Sequence, residues 1–367
     1  MLVRWVETEN FRLLETGRVE LSEGVNVITG ANAQGKTTLL EAVYLLTGMK
    51  SFRTFYDREL VAFGEEEARI SGLVEAAGRE QKLELRLGRG RSRQFRRNGA
   101  RLSPEEMREN LKAILFSPDD LGMVRGPAAS RRKLMDTAIS QLRPGYAALI
   151  SDHNRLYENK TRILKDWRDK PSLLDALDDF SENLCRCSAR IIRYRASFAA
   201  RLCEKAAPVQ REFSGGLEEL GIAYATVSTV EDPLAPEREI YEAVAERQRQ
   251  LRQAELDAGQ CLVGAHKDDL VFTINGADAR SYASQGQART AALSVKLAER
   301  DIFLAETGEV PVLLLDDVLS ELDAGRQEFV LNRIGGGQTL VTSCEAESVS
   351  RLLKGRVLTV EKGRVRA

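Results

Sequence analysis

The chain has 367 residues, with 54 lysines and arginines against 55 aspartates and glutamates, giving a formal net charge of −1. That length exceeds what one hydrophobic core usually sustains, so one large domain carrying an insertion, or two lobes, is expected; the balanced charge leaves only local clusters to inform on partners. No apolar run nears the ~20 residues that span a bilayer, and "MLVRWVETENFR" has no apolar signal core, so a membrane span is excluded and a cytoplasmic location is expected.

In chain order, "GVNVITG" (Gly24–Gly30) is a short β-branched strand ending in glycine. "KTTLLEAVYLLTG" (Lys36–Gly48) follows as a buried helix closed by Gly48. Residues 68–102 read as antiparallel strands. Leu83, Leu85 and Leu87 alternate there, and "AAGRE" and "RNGA" supply turns, the second with the Asn-Gly pair favoured in tight hairpins.

From about Leu121 to Gly259 the pattern turns helical. Leu177, Leu184, Ile191 and Phe198 recur every seven residues, with Phe180, Cys187 and Tyr194 interleaved, as in an a/d seam. Pro236–Leu256 is a second helix with Ile240, Val244 and Leu251 on one side. The two suit a short antiparallel pair, not an extended arm.

After Gly259 strands return. "DLVFTING" is a strand and turn, and "SQGQARTAALSVKLAERDIFLAE" is a helix starting at a glycine segment. "VPVLLLDD" is an apolar strand ending in two carboxylates, and "QTLVTS" and "GRVLTVEKGRV" are further strands. Strands and helices alternating at both ends imply one α/β sheet built from residues 1–117 and 261–367, with a helical lobe over 118–260 inserted between them. The five cysteines, Cys185, Cys187, Cys203, Cys261 and Cys344, form no C-x-x-C. Their odd count points to free thiols.

Three motifs carry chemistry. "GANAQGKT" (Gly30, Ala31, Asn32, Ala33, Gln34, Gly35, Lys36, Thr37) fits G-x-x-x-x-G-K-[ST], follows a strand and opens a helix. Backbone N–H groups of such a loop wrap phosphate oxygens, aided by the helix N-terminus. Lys36 would reach the phosphates, Thr37 would bind Mg²⁺, and Thr38 is expected to bind ATP with the rest of the loop. In "PVLLLDDVLSELD", Asp316 at the strand end takes the magnesium-side role, and Asp317 could polarise the attacking water. The bland alternative is an acidic N-cap pair on a following helix. Third, Ser284, Gln285, Gly286 and Gln287 precede a helix. A glycine turn feeding a helix N-terminus is another anion site, or only a capped helix start. One chain already has its phosphate site, so a second phosphate-reading surface makes sense if it reads the nucleotide bound to a second copy.

Together the three motifs resemble an ABC-type ATPase head. Thr37 and Ser284 lie roughly 250 residues apart, and helices fill the gap, as in the SMC group without its long arm. "NFRLLE", "GKTTLLEAVYLLTGMKSFR", "LFSPDDLGMVRGPAASRRKLMD", "GAHKDDLVFTING", "YASQGQARTAALSVKLAERD" and "LLLDDVLSELD" resemble segments of the RecF family over nearly the full chain. Ala33, Ala288 and "GAHKDD" depart from the usual pattern without removing a phosphate, magnesium or water-positioning group. The resemblance implies an α/β ABC-type head with a mixed sheet, an antiparallel β subdomain and an inserted all-helical lobe. It implies ATP and Mg²⁺ as cofactors, with Lys36, Asp316 and Asp317 catalytic. It also implies an ATP-dependent homodimer in which Ser284–Gln287 contact the partner's ATP, and in which Ser320 and Asp323 of "SELD" lie across the interface. Thr342 takes the switch position where transporters have His, and a counterpart of the Q-loop is expected around Phe116–Asp119. Hydrolysis is expected to be slow, Asp317 being shorter than the Glu of fast ABC enzymes. The implied partners are DNA, duplex and at single-strand junctions, and RecR, with RecO and RecA downstream.

Arg86, Arg89, Arg91, Arg93, Arg96, Arg97 and Arg101 crowd one predicted hairpin, a local excess suited to phosphate backbones. Arg131 and Arg132, and more weakly Arg186, Arg190, Arg193 and Arg195, are further candidates. No stacking platform stands out, so backbone recognition with little sequence preference is expected. His153 and His266 are too far apart in sequence to suggest a site. A transporter-type ATPase is the rival reading, and the helical insertion and arginine hairpin argue against it.

Overall fold

The computed structural model describes residues 1–343 and 355–366; Cys344 lies outside them. The chain divides into two compact units, Met1–Gly122 with Ala292–Ala367, and Met123–Ala291.

The first unit has two six-stranded sheets. One runs in the order Arg364–Arg366, Arg356–Glu361, Val25–Thr29, Thr339–Ser343, Val312–Leu315, Ala113–Phe116. Its pairings are parallel except the terminal hairpin. The parallel strands are apolar because they are covered on both faces. The second sheet is antiparallel: Gly17–Glu20, Leu2–Glu9, Glu67–Ala76, Arg79–Gly88, Arg91–Arg97, Ala100–Leu102. Leu83, Leu85 and Leu87 point inward as their alternation predicts. Asn98 and Gly99 turn with φ of 51° and 86°, the left-handed pair a tight hairpin needs. One core joins residues of both sheets to the helix Lys36–Leu45. Leu39, Leu40, Val43 and Leu45 are fully buried there, each worth about 1.5–3 kcal/mol. The phosphate-loop helix is thus held on all sides and cannot shift without breaking the core.

In the second unit the seven-residue seam lies on one helix, Leu177–Phe213. Leu177, Leu184, Ile191 and Phe198 are buried, whereas Tyr194 stays partly exposed. The helices Tyr146–Asp166 and Glu237–Ala258 pack on it. Arg252 pairs with Asp178 at 3.1 Å and Arg190 with Glu237 at 4.0 Å, so Glu237–Ala258 runs antiparallel to the long helix. Lys160 Nζ lies fully buried, 2.8 Å from Glu255.

This unit also carries a three-stranded antiparallel sheet, Ala277–Asp278, Asp269–Ile274 and Leu220–Ala225, which an all-helical lobe does not contain. "DLVFTING", assigned from sequence to the ATPase lobe, is a strand of this sheet. Leu220–Ala225, inside the stretch that reads as helical, is its partner. That pairing draws residues 261–291 into the inserted unit, so the unit runs over 123–291 where 118–260 is expected.

Candidate nucleotide site

Each glycine of the phosphate loop answers a geometric demand. Gly30 has φ +148°, and a Cβ there would meet the Val360 carbonyl oxygen at 2.3 Å. Gly35 is left-handed (φ 113°) at the helix N-cap, with Leu14 3.1 Å from where a Cβ would sit. Ala33 is also left-handed (φ 62°), which makes the departure from glycine there a strained one. The C-terminal hairpin pins the loop: Lys362 N–H donates to Gln34 Oε1 at 2.6 Å and Gly363 N–H to the Gln34 carbonyl at 3.1 Å. Lys36 Nζ donates to the carbonyls of Gly30 at 2.8 Å and Ala31 at 3.2 Å, so its charge sits at the mouth of the loop. Ala31, Asn32 and Ala33 are exposed and Thr38 is buried.

The Asp-Asp strand is not the immediate neighbour of the phosphate-loop strand. Thr339–Ser343 lies between them and supplies the link. Thr37 Oγ1 donates to Asp316 Oδ1 at 2.8 Å, and Thr342 Oγ1 donates to the same oxygen at 2.9 Å. Asp317 N–H donates to Thr342 Oγ1 at 2.8 Å. Burial pushes the Asp316 carboxyl up, and the two hydroxyls pull it back. Asp317 is held at φ 52°, a costly conformation for a residue with a side chain, and its buried Oδ1 has no hydrogen-bond partner. The acidic-cap alternative fails, because the following helix, Ala324–Arg333, is capped by Asp323. Phe116 carbonyl accepts the Asp316 N–H at 2.9 Å, and Ser117 with Asp120 then caps a short helix. The segment expected to replace a Q-loop therefore abuts the Asp-Asp strand.

One group escaped the sequence reading. Glu41, fully buried on the phosphate-loop helix, lies 2.6 Å from Arg12 Nε and 3.6 Å from Arg53 Nη1, and accepts from Ser51 Oγ. Its one signal in the sequence is an acid amid apolar neighbours in "TLLEAVYLL".

Ser284–Gln287 belong to the second unit, and the phosphate loop to the first. Ser284 Oγ accepts the Gln287 N–H at 3.1 Å, and Gln287 Oε1 accepts the Ser284 N–H at 2.9 Å. This is a reciprocal cap on the helix Gln285–Thr307. Ser284 and Gln285 remain exposed. In "SELD", Ser320 Oγ donates to the Asp317 carbonyl at 2.6 Å, and Asp323 accepts the Arg326 N–H at 3.0 Å; both residues are exposed.

The RecF/RecN/SMC N-terminal domain model matches residues 2–364. DNA replication and repair protein RecF of Listeria innocua serovar 6a is 38% identical, over 97% of this chain and 97% of its own. The chain belongs to the RecF family. The RecF of Lachnospira eligens is 35% identical over 100% of this chain and 99% of its own. A solved structure titled as the recombination mediator protein RecF-ATPrS in the RecFOR pathway superposes with a TM-score of 0.91 at 34% identity, covering 99% of this chain and 97% of that one. Its RecF-ATP counterpart gives 0.89 at 35%, covering 99% and 96%. An Smc head from Pyrococcus furiosus, 14% identical with a TM-score of 0.55, shares the fold. The chain is thus an ABC-type ATPase of RecF/SMC type.

Within this RecF-family chain the candidate DNA-contacting arginines separate. Arg89 and Arg91 are exposed and Arg96 half-buried. Arg93 grips Asp57 with two hydrogen bonds at 2.6 and 2.8 Å, and Arg97 donates to Asn110 at 3.0 Å. Arg131 is corrected outright. It is buried against Asp269 (2.6 and 2.7 Å) and donates to the carbonyls of Met123 and Gly126, so it holds its own unit together. Arg132 donates to the Asp268 carbonyl at 2.7 Å. Arg195, a weaker candidate, is buried between Asp136 and Asp268. His153 and His266, distant in sequence, lie with ring centroids 6.1 Å apart in the second unit. Among the described residues no cluster of three or more His, Cys, Asp or Glu could hold a metal, and no helix is long and apolar enough to cross a membrane.

Proposed function

We propose that the chain binds ATP with Mg²⁺ at Gly30–Thr37 and uses the nucleotide to switch its assembly on DNA. The observation that carries this reading is the convergence of Thr37 and Thr342 hydroxyls on Asp316, beside the unpartnered carboxylate oxygen of Asp317. Thr37 and Asp316 offer two hard oxygens, a set that suits Mg²⁺ when phosphates and water complete its shell. When bound, Mg²⁺ neutralises charge on the β- and γ-phosphates. Lys36 turns from its loop carbonyls to the phosphates. Asp317 Oδ1 accepts a hydrogen bond from the attacking water and orients it. An Asp in place of Glu, with Thr at the switch position, fits slow hydrolysis.

Two heads close on two nucleotides, each ATP lying between one phosphate loop and the partner's Ser284–Gln287, with Ser320 and Asp323 at the interface. The closed dimer clamps DNA near single-strand gaps through backbone contacts that include Arg89, Arg91 and Arg96. Solved relatives titled as recombination mediators of the RecFOR pathway fit RecR and RecO as partners, and loading of RecA downstream is part of the same proposal. The test is oligomeric state with and without ATP and DNA, for wild type and Ser284→Arg. ATP-dependent dimers that the variant loses while still binding ATP are expected. A variant that dimerises normally overturns the reading.

A further inference from the structure

Of the chain's 12 phenylalanines, Phe55 and Phe63 are the exposed ones, at 89% and 103% exposure. Tyr56, between them in sequence, is 58% exposed. Single exposed apolar side chains are ordinary, but three large rings within nine residues are not. The loop that displays them is firmly held. Phe52 packs edge-on against Tyr44 with centroids 5.6 Å apart, and Ser51 Oγ accepts the N–H groups of Arg53 at 3.0 Å and Thr54 at 3.1 Å. Farther along, Arg12 N–H donates to the Leu60 carbonyl at 3.0 Å and Ala62 N–H to the Asn10 carbonyl at 2.8 Å. The rings are therefore presented to solvent by a fixed scaffold.

The charge around them is mixed. Asp57 is paired with Arg93, while Glu59 accepts from the Thr54 hydroxyl and Glu65 from the Asn10 amide, and these two with Glu66 stay exposed and charged. The arginines face outward. Arg58 lies over the Tyr56 ring at 4.9 Å, and Arg89 reaches the Ala62 carbonyl at 3.4 Å, which brings the exposed end of the arginine hairpin beside the loop. Exposed aromatic faces interleaved with guanidinium groups are what unpaired nucleotides need, since every base stacks and every phosphate seeks a cation. Stacked bases of a closed duplex offer no such faces.

We propose that Phe55, Tyr56 and Phe63, with Arg58 and Arg89, form a stacking site for unpaired bases, so that this loop reads the single-stranded side of a junction. This rests on the DNA-binding reading above. The loop's root also touches the phosphate-loop helix, where Ser51 and Arg53 meet Glu41.

The experiment measures ATP-dependent binding of the full chain to a labelled duplex with a single-stranded overhang and to a blunt duplex of equal length. Wild type is compared with the Phe55→Ala/Phe63→Ala double variant. The variant should bind the overhang about tenfold more weakly, bind the blunt duplex as wild type does, and keep its salt slope, because no charge is removed. Equal overhang binding by variant and wild type overturns the proposal. So does an equal loss on both DNAs, or loss of the ATP-dependent dimer, which would mean that a second copy covers the loop. An unchanged thermal midpoint confirms that the variant folds. Wild-type protein that binds neither DNA sinks the DNA reading itself, a distinct result.

Discussion

Thr342 Oγ1 lies 2.9 Å from Asp316 Oδ1, and the same hydroxyl accepts the backbone N–H of Asp317 at 2.8 Å. One side chain thus fixes both members of the acidic pair, on the strand that separates them from the phosphate-loop strand. Thr342→Val keeps the shape and removes the hydroxyl. It leaves Asp317 N–H unpaired, at a cost of about 1–3 kcal/mol. ATP hydrolysis should fall about tenfold or more, which corresponds to ~1.4 kcal/mol of lost transition-state stabilisation, while ATP binding changes little. Thr342→Ser should restore the rate. Phosphate release and nucleotide titration check this, and a valine variant with full turnover would leave Thr342 a packing residue only.

What the sequence made legible were features fixed by short spacing. Gly30–Thr37 shows its loop because glycines, lysine and threonine are consecutive, and Asp316–Asp317 show theirs because the apolar strand ends at them. Features set by long-range pairing stayed hidden. Leu220–Ala225 lies in a stretch that reads as helical, and its pairing with Asp269–Ile274 is what makes it a strand, although Leu220, Ile222 and Tyr224 alternate as a strand's inward face does. Arg131 looks like any arginine on a helix until Asp269 meets it. The Thr342 position was readable, but its double hydrogen bond depends on a strand order that no local pattern encodes. Phe55 and Phe63 are apolar letters in an apolar alphabet, and only solvent exposure makes them unusual.

Ala33 carries a local strain in the phosphate loop, with φ 62°. A left-handed conformation costs a residue with Cβ about 1–2 kcal/mol. Ala33→Gly removes that cost but frees the unfolded chain by about 0.4–1 kcal/mol, so the thermal midpoint should hold or rise slightly. Ala33→Val adds a β-branched side chain in the same conformation and should lower the midpoint. A calorimetric scan of both variants without nucleotide decides. Equal midpoints for glycine and valine would mean the loop relaxes out of this conformation.

Arg131 and the pair Arg89 and Arg91 should respond in opposite ways. Arg131→Met strands the Asp269 carboxylate, with 26% of its side chain exposed, and should cost about 3 kcal/mol in folding. Arg89→Ser/Arg91→Ser should leave the thermal midpoint unchanged. That double variant should weaken DNA binding and flatten the logarithmic salt dependence by about 0.9 for each DNA phosphate no longer neutralised. Melting curves and DNA titrations at several salt concentrations separate the two. A salt slope equal to wild type would remove Arg89 and Arg91 from the interface.

The histidine pair should make the second unit acid-sensitive. Burial pushes both His153 and His266 down to about 4, with Arg195 adding to the effect at His153. Both rings stay neutral in the folded chain, and His153 Nε2 and His266 Nδ1 are buried without partners, so neither is ready to receive a proton. Unfolded histidines titrate near pH 6.5, so between about pH 6.5 and 4 the unfolded chain binds up to two protons more than the folded one. Stability therefore falls as pH drops through that window. Asp268 opposes this, since burial pushes its carboxyl up to about 6 and the folded state gains one proton there. The net difference near pH 5 is about one proton, or roughly 1.4 kcal/mol of lost stability per pH unit. His153→Asn and His266→Gln should each lower that slope, and the double variant should lower it further. Denaturant unfolding at pH 5.0, 5.5 and 6.0, values chosen about the middle of the window, measures it directly. A slope that both variants leave untouched would assign the acid sensitivity to other carboxylates.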